Sequence, residues 1–582
     1  MATAALPFIT ESDRDYRKRC DGMLMGMRTN RYSWWTHWRE IADYLLPRRY
    51  RWLITPNMQS RGSPINQHIL DSTGCLAARN LASGLMSGKT PPTRPWFKLK
   101  IGDIDSTQTT PISLWLSEVE KRIRLVLHEG NFYNCMAQFY YDLVIFGTAV
   151  ILIYEDFENV INSYNPCAGE YYIDIDGSYR PVILYREFTM TVAAVVNEFG
   201  LENCSAAVKE LYNKSGTTGA NLTREIIVAH AIEPNDDGRK FGIGPEFTYR
   251  ECYWEWGGST QPQSGSQMPP VFLRTAGFYE RPHACGRWDI VSNDPYGRSV
   301  GMDALPDQKQ LQLETRRKSQ AIDKQVNPPL VADIQLKNQP ASLLPGGMTY
   351  ISGYAASGKP AIGPIYDPGG FRVADITADL LEVRERLKYT FYNHLFQPIS
   401  QFQTRSNVTA VEIDQRKAES LIMLGPVFER IDNEVLKPII ERVYAIMFRA
   451  GLLPEPPPEI SDAPINIDFV SMLANVQDAI EAASIERGVA FVGNLVGVKP
   501  DALDNIDVDY TVDKYFHLLN NDPKIVNSPE RKVEIRQSRA QQEQAMQQAE
   551  MINQVAQSAK NLASADMGGG TNALTAITGG LQ

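Results

Sequence analysis

The chain has 582 residues, of which 43% are hydrophobic and 22% charged, and its formal net charge is −10. This length exceeds what one hydrophobic core supports and predicts several folded domains. The mild acidity argues against a protein that coats nucleic acid over its whole surface. Seven cysteines without a CxxC spacing indicate neither a disulfide framework nor a zinc site, so we expect no metal and no cofactor.

The sequence offers no segment suited to a membrane. The first residues lack the apolar core of a signal peptide and turn charged by residue 11. The most apolar run, residues 143–154, is about half the length that a spanning helix requires. We therefore expect a protein that works without a membrane anchor.

Residues 11–46 have the pattern of a helix, within a region that is both basic and aromatic. Between Arg14 and Trp52 there are ten Arg or Lys and four Asp or Glu, with eight Tyr or Trp interleaved. One interpretation is a nucleic-acid contact, with cations on phosphates and rings stacked on bases. The other, which we favour, is an amphipathic helix or subunit interface whose arginines lie along apolar surface.

The sequence Gly88-Lys89-Thr90 invites comparison with a phosphate-binding loop. That loop requires four residues between its glycines, and only three separate Gly84 from Gly88. The preceding residues read as helix rather than strand, and Pro91-Pro92 blocks a following helix. The pattern instead predicts the end of a helix, capped by Gly88.

Residues 112–146 are predicted to be helical, with Asn131 or Asn134 as the cap of a second helix and Gly147 as its end. A strand is expected over 149–154, and short strands with turns over 160–300. The predicted segments of strand and turn there are 171–179, 182–185, 226–232, 247–256 and 271–279. A surface loop at 257–269 separates the last two.

Two carboxylates in this β-rich region, Asp174 and Asp176, could be imagined as metal ligands. However, Asp176-Gly177 between alternating apolar residues is a strong hairpin signal. A calcium loop also needs further carboxylates downstream, and the sequence lacks them. We therefore predict a hairpin turn and no metal site.

A long helix is predicted over 301–326, where charges alternate and apolar residues are sparse. Such a helix needs neighbours that pair its charges, or it is lined by solvent. A second helix starts near 375, and the segment between them is too small to be stable alone. Candidate strands in that segment are 329–335, 348–351 and 361–365. The second helix carries one apolar stripe: Ile376, Leu380, Val383, Leu387, Phe391 and Leu395.

The C-terminal third is predicted to be mostly helical. A helix over 408–450 should bend at Pro426 and Pro438. A strand at 465–470 and a helix at 472–495 follow, and the aspartates of 501–509 read as caps and turns. The polar, glutamine-rich helix at 528–565 fits either a solvated tail or a self-associating helix, and both interpretations stay open.

Several segments, in this order, resemble the bacteriophage portal proteins, the head-to-tail connector family of short-tailed phages. They are ILDSTG (69–74), MSGKTPPTRPWFKL (86–99), DPYGRSVGMDALPDQKQL (294–311), NPPL (327–330) and TRSNVTAVEI (404–413). The resemblance covers nearly the whole chain. It is weakest in the C-terminal part.

The resemblance implies an α+β, mainly helical fold that assembles as a ring around a central channel. The implied parts are a wing (1–299), stem helix 1 (300–326), a clip (327–374), stem helix 2 (375–397), a channel loop (398–407), a kinked wing helix (408–455), a crown (456–565) and a disordered tail (566–582). The crown would include a helical barrel if the glutamine-rich helix self-associates.

The implied function is a portal at one vertex of the capsid, formed by about twelve copies, through which double-stranded DNA passes without sequence specificity. The implied partners are the major capsid protein, the scaffold, the terminase and tail adaptors. The protein would belong to the virion and assemble in the host bacterial cytoplasm. No catalytic residue is expected. The alternative is a DNA-packaging enzyme, an ATPase or nuclease, of the same virus.

The resemblance also suggests two groups of site residues. The channel or DNA-facing group is Gln397, Gln401, Gln403, Thr404, Arg405 and Asn407. For Arg405, a helix start facing a neighbouring subunit is an equal alternative. The group expected to pair between subunits in the stem is Glu314, Arg316, Arg317 and Lys318.

Overall fold

The computed structural model describes most of the chain, with gaps. The described residues are 13–47, 49, 67–101, 111–214, 219–235, 247–256, 271–326, 330–332, 362–364, 373–396, 424–458, 465–469, 472–496, 506–519, 525–527 and 529–564. Within them the protein is α+β and mainly helical, as predicted. Four predicted features lie outside these residues: the loop at 257–269, the strand at 348–351, the loop at 398–407 and the tail at 566–582.

The helices keep the predicted order. They are α1 (Asp13–Asn30), α2 (Tyr32–Leu45), α3 (Thr73–Lys89), α4 (Pro111–Glu129), α5 (Phe132–Phe146), α6 (Val192–Phe199), α7 (Ala206–Asn213), α8 (Val300–Val326), α9 (Val373–Thr390), α10 (Gly425–Ile431), α11 (Lys437–Arg449), α12 (Met472–Val496), α13 (Val508–Leu518) and α14 (Pro529–Ser564). Three of them, α6, α7 and α13, were not predicted. None of the helices that the structure describes combines the length and apolarity needed to span a bilayer.

The strands build two larger sheets and two short pairs. They are β1 (Phe97–Ile101), β2 (Thr148–Asp156), β3 (Val160–Tyr164), β4 (Tyr171–Ile175), β5 (Pro181–Thr191), β6 (Glu225–Pro234), β7 (Tyr249–Glu255), β8 (Arg274–Phe278), β9 (His283–Arg287), β10 (Leu330–Ala332), β11 (Ile362–Pro364) and β12 (Ile465–Phe469). One sheet has the order β4-β5-β6-β7-β8 and the other β3-β2-β9; β1 pairs with β12, and β10 with β11. Neighbouring strands within both larger sheets are antiparallel.

The chain folds as two compact units. The first comprises Met1–Phe97, Arg122–Leu453 and Phe469–Val476, and the second Lys98–Lys121, Pro454–Asp468 and Gln477–Gln582. In the second unit, α14 is held to α13 by two ion pairs, Lys532 with Asp513 at 2.7 Å and Arg536 with Asp509 at 2.6 Å. The rest of its described surface is mostly exposed, so both interpretations of the glutamine-rich helix stay open.

The five-stranded sheet carries helices on both faces because its strands alternate apolar residues to the two sides. Ala229 and Trp254 pack with α1, whereas Val228 and Tyr253 pack with α6 and α7. The two faces therefore form separate hydrophobic clusters. Cys20 of α1 is buried in one cluster, and Cys204, just before α7, is buried in the other. All seven cysteines are free, as expected for reduced thiols.

In the described part of the basic and aromatic N-terminal segment, two arginines are buried against the rest of the same chain. Arg31 is buried, donates to the Ala168 carbonyl at 3.3 Å and lies over the Tyr172 ring, 3.7 Å from its centre. Arg17 is buried and donates to the Glu255 carbonyl at 2.8 Å. These contacts favour the packing interpretation over a nucleic-acid contact for residues 13–47.

Two local predictions are confirmed. Asp176 forms a hairpin turn, because its carboxylate accepts from the backbone N–H groups of Ser178 (2.9 Å) and Arg180 (2.8 Å) between β4 and β5. Gly147 ends α5 with a left-handed backbone at φ +74°. Asn131 precedes α5, but its side chain binds Ser163 instead of capping the helix.

Three predictions of helix limits need correction. A single helix over 11–46 is divided into α1 and α2, which meet at Arg31. Helices α6 and α7 replace part of the predicted all-strand region. Their caps are Thr191 and Ser205, whose side chains accept from backbone N–H groups at 3.2 and 3.3 Å, a signal that the sequence contains. Gly88 is not a cap, because α3 continues through it and Thr90 follows the last helical residue.

Candidate functional site: the helix pair, its base and the bent helix

Helices α8 and α9 form an antiparallel pair, the predicted stem. Arg386 of α9 reaches Asp307 at 3.1 Å and Gln310 at 3.0 Å on α8. The predicted apolar stripe of α9 is confirmed in part, since Leu380, Val383 and Leu387 are fully buried. Ile376 is half-buried, and the helix ends at Thr390 rather than at 397, so that Phe391 and Leu395 are buried beyond its end. The assignment of this pair as a stem remains a prediction.

Helix α8 starts in a closely packed turn that explains the Tyr296-Gly297-Arg298-Ser299 sequence. A Cβ on Gly297 would lie 2.4 Å from the Gly147 carbonyl oxygen, so only glycine allows this approach. Ser299 donates to the Ile145 carbonyl at 2.7 Å and accepts from the backbone N–H of Met302 at 2.9 Å. The turn thus fixes the first residues of α8 against α5 and β2.

The loop before α3 locks onto the middle of α8 through one glutamine. The Gln312 amide oxygen accepts from the N–H groups of Leu70 (2.6 Å) and Asp71 (2.9 Å), and its amide nitrogen donates to the Asp71 carbonyl at 2.8 Å. Gln312 is 6% exposed. Three bonds to one loop satisfy a polar side chain that would be costly to bury alone.

Asp71 connects the same loop to α9. Its Oδ1 accepts from the Thr73 N–H (2.8 Å) and hydroxyl (2.5 Å), and its Oδ2 accepts from Arg384 Nε (2.9 Å) and Nη2 (2.7 Å). Burial opposes ionisation, but the Thr73 and Arg384 bonds outweigh it and lower the pKa of Asp71. We call Asp71, Gln312 and Arg384 the base of the helix pair, since together they join α3, α8 and α9.

The tight fit extends to Gly74 in the first turn of α3. A Cβ there would lie 2.4 Å from the Gln308 amide oxygen, and Gln308 is fully buried and donates to the Tyr44 carbonyl at 3.1 Å. The ILDSTG segment therefore has a structural explanation. Its aspartate and glycine allow α3 to contact both helices of the pair at their base.

Beyond this base, α8 has a different environment. One stripe, Glu314, Lys318, Ala321 and Gln325, is half-buried. It continues the line of Asp307 and Gln310, which contact α9, so this stripe faces α9. Among the predicted inter-subunit residues, Glu314 and Lys318 are on this stripe, and Glu314 accepts from Gln310 at 2.6 Å.

Arg316 and Arg317 point elsewhere. Both are exposed, and neither has an ion-pair or hydrogen-bond partner among the described residues. The predicted DNA-facing residues Gln397, Gln401, Gln403, Thr404, Arg405 and Asn407 all lie outside the described residues. No group of side chains in the described ranges has the composition of a metal site.

A bent helix packs near the β9 strand of the same unit. Helices α10 and α11 flank a π-helical turn, Asp432–Leu436, just before Pro438. Proline supplies no backbone N–H, and Arg281 donates to the Glu434 carbonyl at 3.2 Å. The predicted bend at Pro438 therefore coincides with a π turn. Pro426 causes no bend, because it lies in the first turn of α10.

Two ion pairs hold this π turn. Lys89 Nζ lies 2.7 Å from Asp432 Oδ2, and Arg287 Nη2 lies 2.5 Å from Glu434 Oε1. Burial raises the pKa of Asp432, and Lys89 opposes that shift. Lys89 is 4% exposed and its helix continues to that residue. The lysine of Gly88-Lys89-Thr90 is thus engaged in an internal contact, which confirms that the sequence is not a phosphate loop.

Sequence reasoning missed the partners in both places. The ILDSTG and GKT segments were noticed, but their contacts with Gln312, Arg384 and Asp432 were not. These residues lie 241, 313 and 343 positions from their partners. The one available signal was the unusual presence of two glutamines, Gln308 and Gln312, one turn apart in the half of α8 that also carries its apolar residues.

Comparison with known proteins identifies similar chains. A family model described as "Bacteriophage head to tail connecting protein" matches residues 17–526. The "Probable portal protein" of Bordetella phage BPP-1 is 38% identical over 553 residues, which cover 95% of this chain and 96% of that protein. The "Portal protein" of Salmonella phage epsilon15 is 36% identical over 567 residues, which cover 96% and 98% of the two chains.

Proposed function

The chain belongs to the bacteriophage head-to-tail connecting protein family, and from this premise we propose that it forms the portal of a tailed phage. The observation that carries the proposal is that the similarity to portal proteins extends over nearly the whole chain. Relatives called portal protein align with at least 95% of this chain at 36 and 38% identity. Since the similarity includes both compact units, it supports a role for the whole chain.

We propose that about twelve copies close into a ring around a channel at one capsid vertex. In this ring 300–326 and 375–397 are the stem, 327–374 the clip, 1–299 and 408–455 the wing, and 456–565 the crown. The exposed outer half of α8 supports the proposal. Arg316 and Arg317 lack ion-pair partners among the described residues, as expected for a polar helix whose partners belong to neighbouring copies.

Double-stranded DNA is the proposed cargo of the channel. Each fixed contact between a cation and a phosphate adds affinity through counterion release, so a conduit that lets DNA slide should present few of them. The net charge of −10 is consistent with such a bore. The segment 397–407 is the proposed DNA-facing loop, in which Arg405 is the single charged side chain.

The remaining proposed partners follow from the position of a connector. The capsid protein and scaffold would contact the wing, and the terminase and tail adaptors would in turn dock on the clip. The protein would be assembled in the host bacterial cytoplasm and retained in the virion. Being a connector between head and tail, it is a structural component rather than an enzyme.

The alternative, a packaging ATPase or nuclease, has no observation in its favour. The sequence signal for an ATPase was Gly88-Lys89-Thr90, and Lys89 is buried against Asp432. A phosphate loop needs its lysine free to reach the β- and γ-phosphates. The contact therefore removes the motif on which the alternative was based.

The test uses the purified full-length chain and a phage that depends on it. Single-particle images should show rings with a central channel, and a monodisperse monomer with ATPase activity would overturn the proposal. For the loop, replacing Gln401–Arg405 by Gly and Ser should leave rings intact but impair packaging or retention of DNA. Unchanged packaging and retention would contradict the DNA-facing assignment while leaving the portal proposal in place.

A further inference from the structure

A cleft of about 880 Å³ runs along one side of the bent helix. The helix forms one wall through side chains that are three or four positions apart: Pro426, Arg430, Glu434, Lys437 and Glu441. The facing wall is formed by turns and strand ends at 178–182, 248–249 and 279–281. Both walls belong to the first compact unit, so the cleft lies within one folded body.

Two arginines of this cleft lack a carboxylate partner. Arg281 and Arg430 are half-buried, and neither forms an ion pair within the described residues. Each donates to one backbone carbonyl, Arg281 to that of Glu434 at 3.2 Å and Arg430 to that of Trp288 at 2.6 Å. The Glu434 carboxylate is taken by Arg287, which donates to its two oxygens at 2.5 and 3.3 Å. A guanidinium has five N–H donors, so Arg281 and Arg430 retain donors for a bound group.

The charge of Arg281 is poorly compensated by its own chain. Burial lowers the pKa of Arg281, a shift that the charge of Glu434 opposes and that of Arg180 reinforces. Arg180 itself is paired with Asp176 at 2.8 Å. A carboxylate that entered the cleft would supply the missing compensation, because guanidinium groups bind carboxylates through paired hydrogen bonds.

The rest of the lining favours a polypeptide over a phosphate compound. Glu429 and Glu441 are exposed in the same cleft and have no ion-pair partner in the part of the chain that the structure describes. A polyphosphate would be repelled by both. Tyr179 and Tyr279, on the facing wall, are 61% and 46% exposed. Tyrosine beside arginine is the composition enriched at contacts between proteins.

The length of the lining also suits an extended chain. From Pro426 to Glu441 the helix rises about 22 Å. An extended chain advances about 3.3 Å per residue, so about seven residues would span this distance. A segment of that length could place an acidic side chain beside Arg281 while its other side chains contact the tyrosines.

We propose that this cleft binds an extended acidic segment of a capsid or scaffold protein, with one carboxylate held by Arg281 and Arg430. Apolar side chains of the segment pack on Tyr179 and Tyr279, and a basic side chain faces Glu441. The inference rests on the proposed function for the choice of partner, since a connector in the capsid meets these proteins. It adds a binding site of stated chemistry on the wing.

The test measures binding of the assembled full-length chain to arrayed peptides. Short overlapping peptides span the capsid and scaffold proteins of the same phage and the chain itself. Each has a copy in which Asn or Gln replaces Asp or Glu. The wild type should bind at least one capsid or scaffold peptide, at least about tenfold more tightly than its uncharged copy. No bound peptide, or equal binding of the two copies, would overturn the inference.

Variants assign the binding to the cleft. R281Q/R430Q should weaken binding of the same peptide at least about tenfold, because both guanidinium groups are lost. The matched control R316Q/R317Q removes two exposed arginines of α8, outside the cleft, and should bind as the wild type does. Equal binding by R281Q/R430Q would overturn the inference. If urea unfolding showed that this variant folds poorly, R430Q alone should still weaken binding at least about threefold, and an unchanged affinity would overturn the inference.

Competition identifies the class of ligand. Tripolyphosphate should displace the bound peptide less effectively than free acidic peptide does, and the reverse order would make the cleft a phosphate site. Preferential binding of peptides from the chain itself would assign the cleft to a contact between copies. Either result would overturn the inference. If the wild-type chain formed no ring, the portal proposal would fail, whereas rings that bind none of the peptides would leave that proposal in place.

Discussion

Both halves of α8 carry several polar side chains, but their environments are opposite. From Val300 to Gln312 the helix is largely buried, and its polar side chains Gln308 and Gln312 each bind specific backbone groups. From Leu313 to Val326 no described residue is fully buried. The buried half shows that polar side chains can enter a core where hydrogen bonds to backbone groups hold them, and we propose that neighbouring copies cover the exposed half.

The largest expected effect is at the start of the buried half. In Gly147→Ala the new Cβ would lie 2.3 Å from the Gly297 carbonyl oxygen, at a residue with φ +74°. Backbone strain and overpacking together should lower the free energy of unfolding by about 3 kcal/mol or more. Urea unfolding of the dissociated subunit measures the loss.

The matched control for that substitution is Gly177→Ala at the hairpin turn. A Cβ there would meet no heavy atom within 4 Å, so a change below about 1 kcal/mol is expected. Similar losses at both glycines would show that the close approach of Gly147 to the start of α8 is not what requires glycine.

The next effect separates the two halves directly. Gln312→Ala leaves the N–H groups of Leu70 and Asp71 without their acceptor, and the expected loss is about 2–3 kcal/mol. Gln320→Ala, on the exposed half of the same helix, should change the free energy of unfolding by less than about 0.5 kcal/mol. Equal values from urea unfolding would remove the distinction between the halves.

The limits of α8, the stripe of α9 and the Asp176 turn could be predicted because each depends on local periodicity or turn chemistry. The base of the helix pair could not. Gln312 and Asp71 are 241 positions apart, and their pairing is set by tertiary packing that no local pattern encodes. The same holds for Lys89 and Asp432, where the local sequence even suggested a different function.

Helices α6 and α7 were missed for another reason. Each is short, with bounds Val192–Phe199 and Ala206–Asn213, and lies between strands rich in β-branched residues. Thr191 and Ser205 are residue types that often cap helices, but this signal is weak beside the apolar runs around them, which favour strands. Capping side chains therefore carry information that hydrophobic periodicity alone does not.

Acid should weaken the base of the helix pair. The folded-state pKa of Asp71 is lowered. The ionised carboxylate therefore contributes fully to the free energy of unfolding above the unfolded pKa of about 3.9. That contribution is lost as the pH falls through the lower folded-state pKa. The free energy of unfolding should decline below about pH 4, by no more than about 1.4 kcal/mol per pH unit from this group.

Asp71→Asn is the variant that tests this assignment. Near neutral pH it should cost about 1–2 kcal/mol, since Arg384 loses its charged acceptor. The free energy of unfolding of this variant should also depend less on pH, because Asn does not ionise. Urea unfolding at pH values from 5 to about 3 measures this dependence. An unchanged slope in the variant would mean that another carboxylate accounts for the acid sensitivity.

The smallest expected effect belongs to the exposed half. Arg317→Gln removes a charge that has no ion-pair partner among the described residues, so unfolding of the dissociated subunit should change by less than about 0.5 kcal/mol. Arg384→Gln, in which Asp71 loses two bonds, should cost more. If Arg317 proved as important as Arg384 within a single subunit, its charge would be satisfied inside the chain and would not be available to a neighbouring copy.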